Sequence, residues 1–207
     1  MDSAGWYAYV QTEQKKSKPE LRWLTVSEYW LGIAEKPKAF PLFTFNLGFC
    51  THYPTKDDKI HPNSITLETN SYAGKFKIQF HTFNRFDILE ICKALKDGAE
   101  KWTEYLNTDS GQTRLEVSFK DRKQGLFGKS IECVIDDHGF TKMGSNQVHY
   151  SYDDIVTIRP TIFEKRKGSC FEMNTSDGTE YIFQSHGYDE MKSVVSLILK
   201  YKCKTTV

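Results

Sequence analysis

The stretch Phe86–Leu106, FDILEICKALKDGAEKWTEYL, decides how the rest of the chain is read. Phe86, Leu89, Cys92, Leu95, Ala99, Trp102 and Leu106 recur at spacings of three and four, while Glu90, Lys93, Lys96, Asp97, Glu100 and Glu104 take the other face. The pattern predicts a one-sided helix with a core to cover. A shorter pattern of the same kind runs from Asp189 to Lys202. It turns Met191, Val194, Val195, Ile198 and Tyr201 inward and places Asp189 and Glu190 favourably at its N-terminus.

Upstream of the first helix the chain is rich in aromatic and β-branched residues, broken by polar spacers. Seven antiparallel strands are predicted there: Gly5–Val10, Leu21–Val26, Tyr29–Glu35, Phe40–Leu47, a weaker Phe49–Tyr53, Ser64–Thr69 and Lys75–His81. The spacers QTEQKKSKPE, PTKDDKIHPN and NSYAG have the composition of surface hairpin loops. After the helix, Asn107 to Gly111 form a polar break, and a domain boundary is placed there. About six strands follow: Arg114–Lys120, Lys129–Ile135, Gly139–Met143, Val148–Ile158, Ser169–Asn174 and Glu180–Ser185, before the second helix. A single sheet of seven strands must curl into two layers, with the amphipathic helix plugging the open end. The expected fold is mainly β with α: two capped β-barrels, each of about seven antiparallel strands and one C-terminal helix, over residues 4–107 and 112–203.

Composition narrows the function classes. The 207 residues are 39% hydrophobic and 14% aromatic, enough for packed cores. Before Asn107 there are 14 basic and 13 acidic residues and after it 14 of each, so neither half has the excess expected of a nucleic-acid binder. The five cysteines, at 50, 92, 133, 170 and 203, are odd in number and embedded in apolar patterns, which suits reduced core thiols in the cytosol rather than a disulfide framework. Neither a leader nor an apolar run near 18 residues is present, so the expected location is cytoplasmic, with a peripheral position at the inner membrane face if a lipid is bound.

Several residues resemble those of a known family. Gly5-Trp6-Tyr7, a long basic first loop, Arg22-Trp23-Leu24-Thr25-Val26 and the helical Trp102 make the first half, about residues 4 to 107, resemble a pleckstrin-homology (PH) domain. The second half, about 112 to 203, resembles a phosphotyrosine-binding (PTB) domain or the third lobe of a FERM domain. The residues concerned are Lys123 to Val134, Tyr150-Ser151-Tyr152-Asp153-Asp154-Ile155, Ser169 to Met173 and Tyr181-Ile182-Phe183. The order PH then PTB is that of the head of the insulin-receptor-substrate and docking-protein adaptors.

The resemblance implies two sites. In lipid-binding PH members cations on the first strands and loops surround an inositol phosphate, which places Lys15, Lys16, Lys18 and Arg22 there, bordered by Lys36 and Lys38; the alternative is a solvated hairpin loop. Glu20 stands where a second cation would be expected, so a preference for one phosphoinositide is not implied. In PTB members a peptide adds as a strand beside strand five and the C-terminal helix. Ser169, Phe171 and Met173, with Met191, Val195 and Ile198, would form that groove, the alternative being that its apolar residues are simply core. The two arginines that receive phosphate in such members are replaced by Val156-Thr157 and Thr175-Ser176, which points to an unphosphorylated peptide; Arg159, with Lys165, Arg166 and Lys167, lies near enough to substitute.

The implied protein is a non-enzymatic adaptor that binds a receptor tail or other protein peptide and an anionic or phosphoinositide surface. Neither cofactor nor metal is expected, and a homodimer is left open. The rival reading is an assembly module whose tandem domains dimerise or join a complex without lipid. Catalytic patterns are absent from the sequence; Cys50 beside His52, and Asp136-Asp137-His138, are ordinary hairpin clusters. Thr205-Thr206-Val207 fits a ligand for PDZ domains if the natural chain ends there.

Overall fold

The computed structural model describes residues 4–13, 18–55, 63–69, 72, 75–108, 114–121, 130–163 and 166–205. The chain divides into two compact units, Met1–Asn107 and Thr108–Val207.

The first unit holds β1 (Ala4–Thr12), β2 (Glu20–Ser27), β3 (Trp30–Ala34), β4 (Phe43–Asn46), β5 (Cys50–Pro54), β6 (Ser64–Thr69), β7 (Phe76–His81) and helix α1 (Arg85–Asn107). The strands form one antiparallel sheet in the order β4-β3-β2-β1-β7-β6-β5. Apart from β4 and β5, consecutive strands pair with each other, and β1 closes on β7 in the register Tyr9↔His81 to Thr12↔Ile78. Alternation does the folding: Ala8, Val10, Leu24, Ile78 and Phe80 turn inward and are buried. The sheet's two end strands, β4 and β5, are consecutive in the chain yet unpaired. A single 3₁₀ turn, Leu47–Phe49, rounds the corner between them, capped by Asn46, whose Oδ1 accepts from Gly48 N at 2.9 Å.

Helix α1 closes that corner. Trp102 is buried, with ring centroids 5.1 Å from Tyr29, 5.6 Å from Phe49 and 5.4 Å from Tyr105. Its indole lies against Gly48, where a Cβ would come within 1.8 Å of Trp102 Cδ1, and Leu47 packs on Gly98 in the same way. The expected tryptophan plug is therefore in place, but the phase of the helix start differs from expectation. The buried positions are Ile88, Ile91, Leu95, Gly98 and Trp102, whereas Phe86 and Leu89 are 68% and 56% exposed. Spacings of three and four admit more than one face, and at the helix start the barrel selects the isoleucines.

The second unit repeats the plan. It holds β8 (Arg114–Asp121), β9 (Ser130–Asp136), β10 (Gly139–Lys142), β11 (Val148–Tyr150), β12 (Ile155–Phe163), β13 (Arg166–Thr175), β14 (Glu180–Gln184) and helix α2 (Tyr188–Thr205), in the order β11-β10-β9-β8-β14-β13-β12. Seven antiparallel strands in this order, with a C-terminal helix at the corner between the two end strands, make each unit a PH-superfold barrel. The expected strand Val148–Ile158 is in fact two. Ser151 Oγ and N donate to Asp154 Oδ2 at 2.6 and 3.1 Å, forming a turn that breaks the run and raises the strand count from six to seven. The buried Tyr152 in this turn stacks on Tyr201 of α2 at 5.3 Å, and Lys202 Nζ donates to Tyr152 O at 2.7 Å. The helix thus pins the same corner in both units, by an indole in one and by a stacked tyrosine and a buried ammonium in the other.

Two outcomes test these corners. Gly48→Ala should destabilise the first unit by about 1–3 kcal/mol in denaturant unfolding through overpacking against Trp102. Gly187→Ala, with open space around it, should stay within about 0.5 kcal/mol. The Ser151 donors hold the Asp154 carboxyl below the usual carboxylate range, helped by Ser176 Oγ at 3.2 Å. A carboxyl with a depressed folded pKa stabilises above its unfolded value, about 3.9, and that contribution is lost as pH falls through the folded value. The stability difference between wild type and Asp154→Asn should therefore be full at pH 7 and shrink below about pH 4.

Candidate functional site

The registers gather three loops of the first barrel at one end. Val10↔Glu20 flanks the β1–β2 loop, Ile33↔Phe43 the β3–β4 loop and Thr69↔Phe76 the β6–β7 loop. The expected cations sort onto this end. Lys18 is exposed beside β2, and Lys36 and Lys38 are exposed on the β3–β4 loop. There Ala39 N donates to Lys36 O at 3.2 Å, and Lys38 adopts φ 63°, the left-handed turn conformation. Lys15 and Lys16 lie outside the described residues. Arg22 pairs with Ala8 on the inward-facing row of β2, close to the mouth. Its guanidinium is already engaged: Nη2 ion-pairs with Glu20 and Nη1 donates to Leu21 O at 3.2 Å. Glu20 therefore does more than leave out a cation; it neutralises the one beside it. Lys77 is likewise committed, to Glu68 at 3.0 Å, and Tyr53 Oη donates to Glu68 Oε1 at 2.6 Å. The Tyr53 hydroxyl, with Lys77, holds the Glu68 carboxyl down, and Glu68 in turn raises the Lys77 ammonium.

In the second barrel the expected groove is a core. Phe171, Met173, Met191, Val195 and Ile198 are completely buried, and Ser169 is half-buried. The cause is topological. Because the turn at Ser151–Asp154 adds a strand, Ser169–Asn174 belongs to the sixth strand of the unit, β13, which is paired on both sides by β12 and β14. A strand with two partners has no edge to offer. The fifth strand is β12, at the end of the sheet order and beside α2. Its one open edge is interrupted: register shifts fall between Ile155 and Thr157 and between Thr161 and Phe163, and Pro160 lacks an N–H. Val156, in the first shift, is 51% exposed. Arg159 is engaged across the sheet, its Nη2 reaching both carboxylate oxygens of Glu172 at 3.2 and 3.3 Å, with Asn174 Nδ2 on the same carboxylate at 2.8 Å. Lys165 and the side chains of Arg166 and Lys167 lie outside the described residues, as do Lys123 to Gly128 and Thr206-Val207.

Burial pushes the Cys50 thiol up to about 12, and its Sγ lies 3.2 Å from Asn46 O, while burial lowers the neighbouring His52. A thiol held protonated is a poor nucleophile. Asp136 Oδ1 accepts from His138 N at 3.0 Å as the turn of the β9–β10 hairpin. Among the described residues no three His, Cys, Asp or Glu side chains converge on a metal position, and no helix is long and apolar enough to cross a membrane. A cleft of about 220 Å³ lies between Ser118, Lys120, Ser130, Gln184 and His186, smaller than the roughly 300 Å³ at which small-molecule pockets begin.

The chain matches no described protein family and no curated protein. Among solved structures it is similar to the C-terminal PH domain of pleckstrin, with 16% identity and a TM-score of 0.40 over 46% of this chain and 94% of that one. It is also similar to the PH domain of human oxysterol-binding-protein-related protein 11, with 14% identity and a TM-score of 0.39 over 48% of this chain and 89% of that one. A third likeness is to inner membrane complex sub-compartment protein 3 from Toxoplasma gondii, with 14% identity and a TM-score of 0.35 over 52% of this chain and 87% of that one. Strand order and the capping helix, rather than these scores, identify the superfold of each unit.

Proposed function

We propose that the chain is a tandem docking module that works through surfaces rather than catalysis: the first unit meets an anionic membrane surface, and the second takes an unphosphorylated peptide. One observation supports the first half of this reading above the rest. Lys18, Lys36 and Lys38 stand exposed on loops at one barrel end, while Arg22, the group that would bind a single phosphate bidentately, is held by Glu20. Diffuse cations, with no formed phosphate site among the described residues, suit a charged surface better than one headgroup. For the second unit, the resemblance to the adaptor PTB domains is carried over to β12, whose open edge beside α2 offers backbone pairing over the short stretch Thr157–Arg159. Arg159 does not serve as a phosphate receptor in this reading, because Glu172 already occupies it. The shifts and the proline that shorten the β12 edge favour the second reading, an assembly module without a peptide groove.

Vesicle co-sedimentation tests the membrane role. The chain should sediment with phosphatidylserine-rich vesicles and not with neutral ones. Binding should fall by roughly fivefold for each of Lys18, Lys36 and Lys38 changed to Ala, about 1 kcal/mol apiece. Glu20→Gln, by releasing Arg22, should tighten it. No binding to anionic vesicles, or no response to any of these changes, removes the membrane role.

For the second unit, matched tyrosine-containing peptides with and without phosphate should bind alike by fluorescence anisotropy, and Arg159→Ala should leave the ratio unchanged. Preference for the phosphorylated form contradicts the engaged-arginine account, and failure of both forms favours the assembly reading.

A further inference from the structure

The exposed start of α1 is the largest departure from the expected core. Phe83 is 74% exposed, Phe86 68% and Leu89 56%, at successive spacings of three. A local explanation fails. Asn84 caps the helix, with Oδ1 accepting from Asp87 N at 2.8 Å, so Phe83 and Ile88 occupy the positions that a hydrophobic staple would bring together. Ile88 is in the core, yet Phe83 stays largely in solvent, its ring in an edge-to-face arrangement with Tyr9 at 5.2 Å. Tyr9 pairs across β1–β2 with Leu21, itself 42% exposed, so the apolar surface runs from β2 over β1 onto the helix. We propose that Leu21, Tyr9, Phe83, Phe86 and Leu89 form a docking surface for a short amphipathic helix of a partner protein, one that carries acidic residues beside its apolar face.

Area and charge select this occupant. With aromatic side chains of 150–250 Å², the exposed fractions amount to roughly 400 Å² of apolar surface, within the range of functional patches. That is about half of the roughly 800 Å² per partner of a standard interface, which fits the apolar side of one helix better than a second copy of this chain. Arg85 and Lys93 lie four residues either side of Leu89, on its helix line, and both are exposed. The acids on the same turns are engaged: Asp87 Oδ2 accepts from Asn84 Nδ2 at 2.8 Å, and Glu90 Oε2 accepts from Trp6 Nε1 at 3.0 Å. Both carboxylates keep their charge in these bonds, but the bonds turn them back onto Asn84 and Trp6, so the charges that share the helix line of Leu89 are the cations Arg85 and Lys93. Its helical part, Phe83 to Leu89, is separate from the lysine-bearing loops, since β7 runs from that barrel end to the start of α1, and the proposal does not depend on the membrane reading.

The test uses the whole chain and two designed peptides, each an amphipathic helix with Leu and Phe at spacings of three and four, one flanked by Glu and the other by Lys. Fluorescence anisotropy should show binding of the Glu peptide and much weaker binding of the Lys peptide. Phe86→Ser and Leu89→Ser should each weaken the Glu peptide by about tenfold or more without lowering the melting temperature, because both side chains are exposed. Arg85→Glu with Lys93→Glu should reverse the preference between the peptides. Phe83→Ser provides the same reading if either helix variant misfolds. Equal binding of the two peptides, or indifference to these changes, overturns the proposal. So does loss of self-association in sedimentation on Phe86→Ser, which would make the occupant a second copy. Loss of vesicle binding on that variant would likewise overturn it, making the occupant a bilayer.

Discussion

The packing of Trp102 on Gly48 holds the first unit together as a barrel. A seven-strand sheet that closes β1 on β7 still leaves β4 and β5 unpaired at the corner between its layers, and apolar inward residues beside that gap would meet water. Helix α1 fills the gap only because two glycines, Gly48 and Gly98, let helix and corner turn approach to ring-to-backbone contact. The second unit solves the same problem with different chemistry. Tyr152 is buried at the corner and stacked on Tyr201, and Lys202 satisfies its carbonyl from α2. Burial lowers the Lys202 ammonium, so that corner trades some electrostatic cost for a fixed helix position.

Closing one corner with a helix has a functional consequence. The barrel interiors are filled by side chains, which leaves loop ends, strand edges and helix flanks as the places where such a unit meets anything else. Charges at those places are already partly spent within the fold. Arg22 with Glu20, Lys77 with Glu68 and Arg159 with Glu172 are internal pairs, so the sequence positions that resemble ligand-binding arginines are held in place by neighbouring carboxylates. Outward among the described residues stand loop lysines at one end of the first barrel, an apolar flank at the start of its helix and the short open edge of β12.

Much of the architecture was legible in the sequence, because strand alternation and helical periodicity are set by the core that they cover. All seven strands of the first unit and both helices follow from those periods, with boundaries displaced by a few residues; Phe40–Leu47, for example, shortens to Phe43–Asn46. The errors share a cause. Tyr150-Ser151-Tyr152-Asp153-Asp154 sits inside a run rich in Val, Ile and Tyr, and only the Asp154 side-chain bonds reveal a turn. Missing it shifted the count by one strand and put the peptide groove on β13, an interior strand. Phe86 and Leu89 satisfy helical spacing as well as Ile88 and Ile91 do, and only the position of the barrel end separates them. Cross-strand partners such as Arg159 and Glu172 depend on register, which composition does not specify. Sites were therefore less legible than the fold: burial and pairing of single side chains decide them.

The central claim is that the exposed loop end of the first barrel, rather than a formed phosphate pocket or the second unit, meets an anionic surface. Backbone amide NMR of the whole chain titrated with phosphatidylserine-containing bicelles tests it most directly. The account predicts shifts confined to the amides of Lys18 to Leu21 and Glu35 to Leu42, graded with anionic lipid content and suppressed by salt. Shifts centred on β12 and α2, or none at any lipid composition, would contradict it.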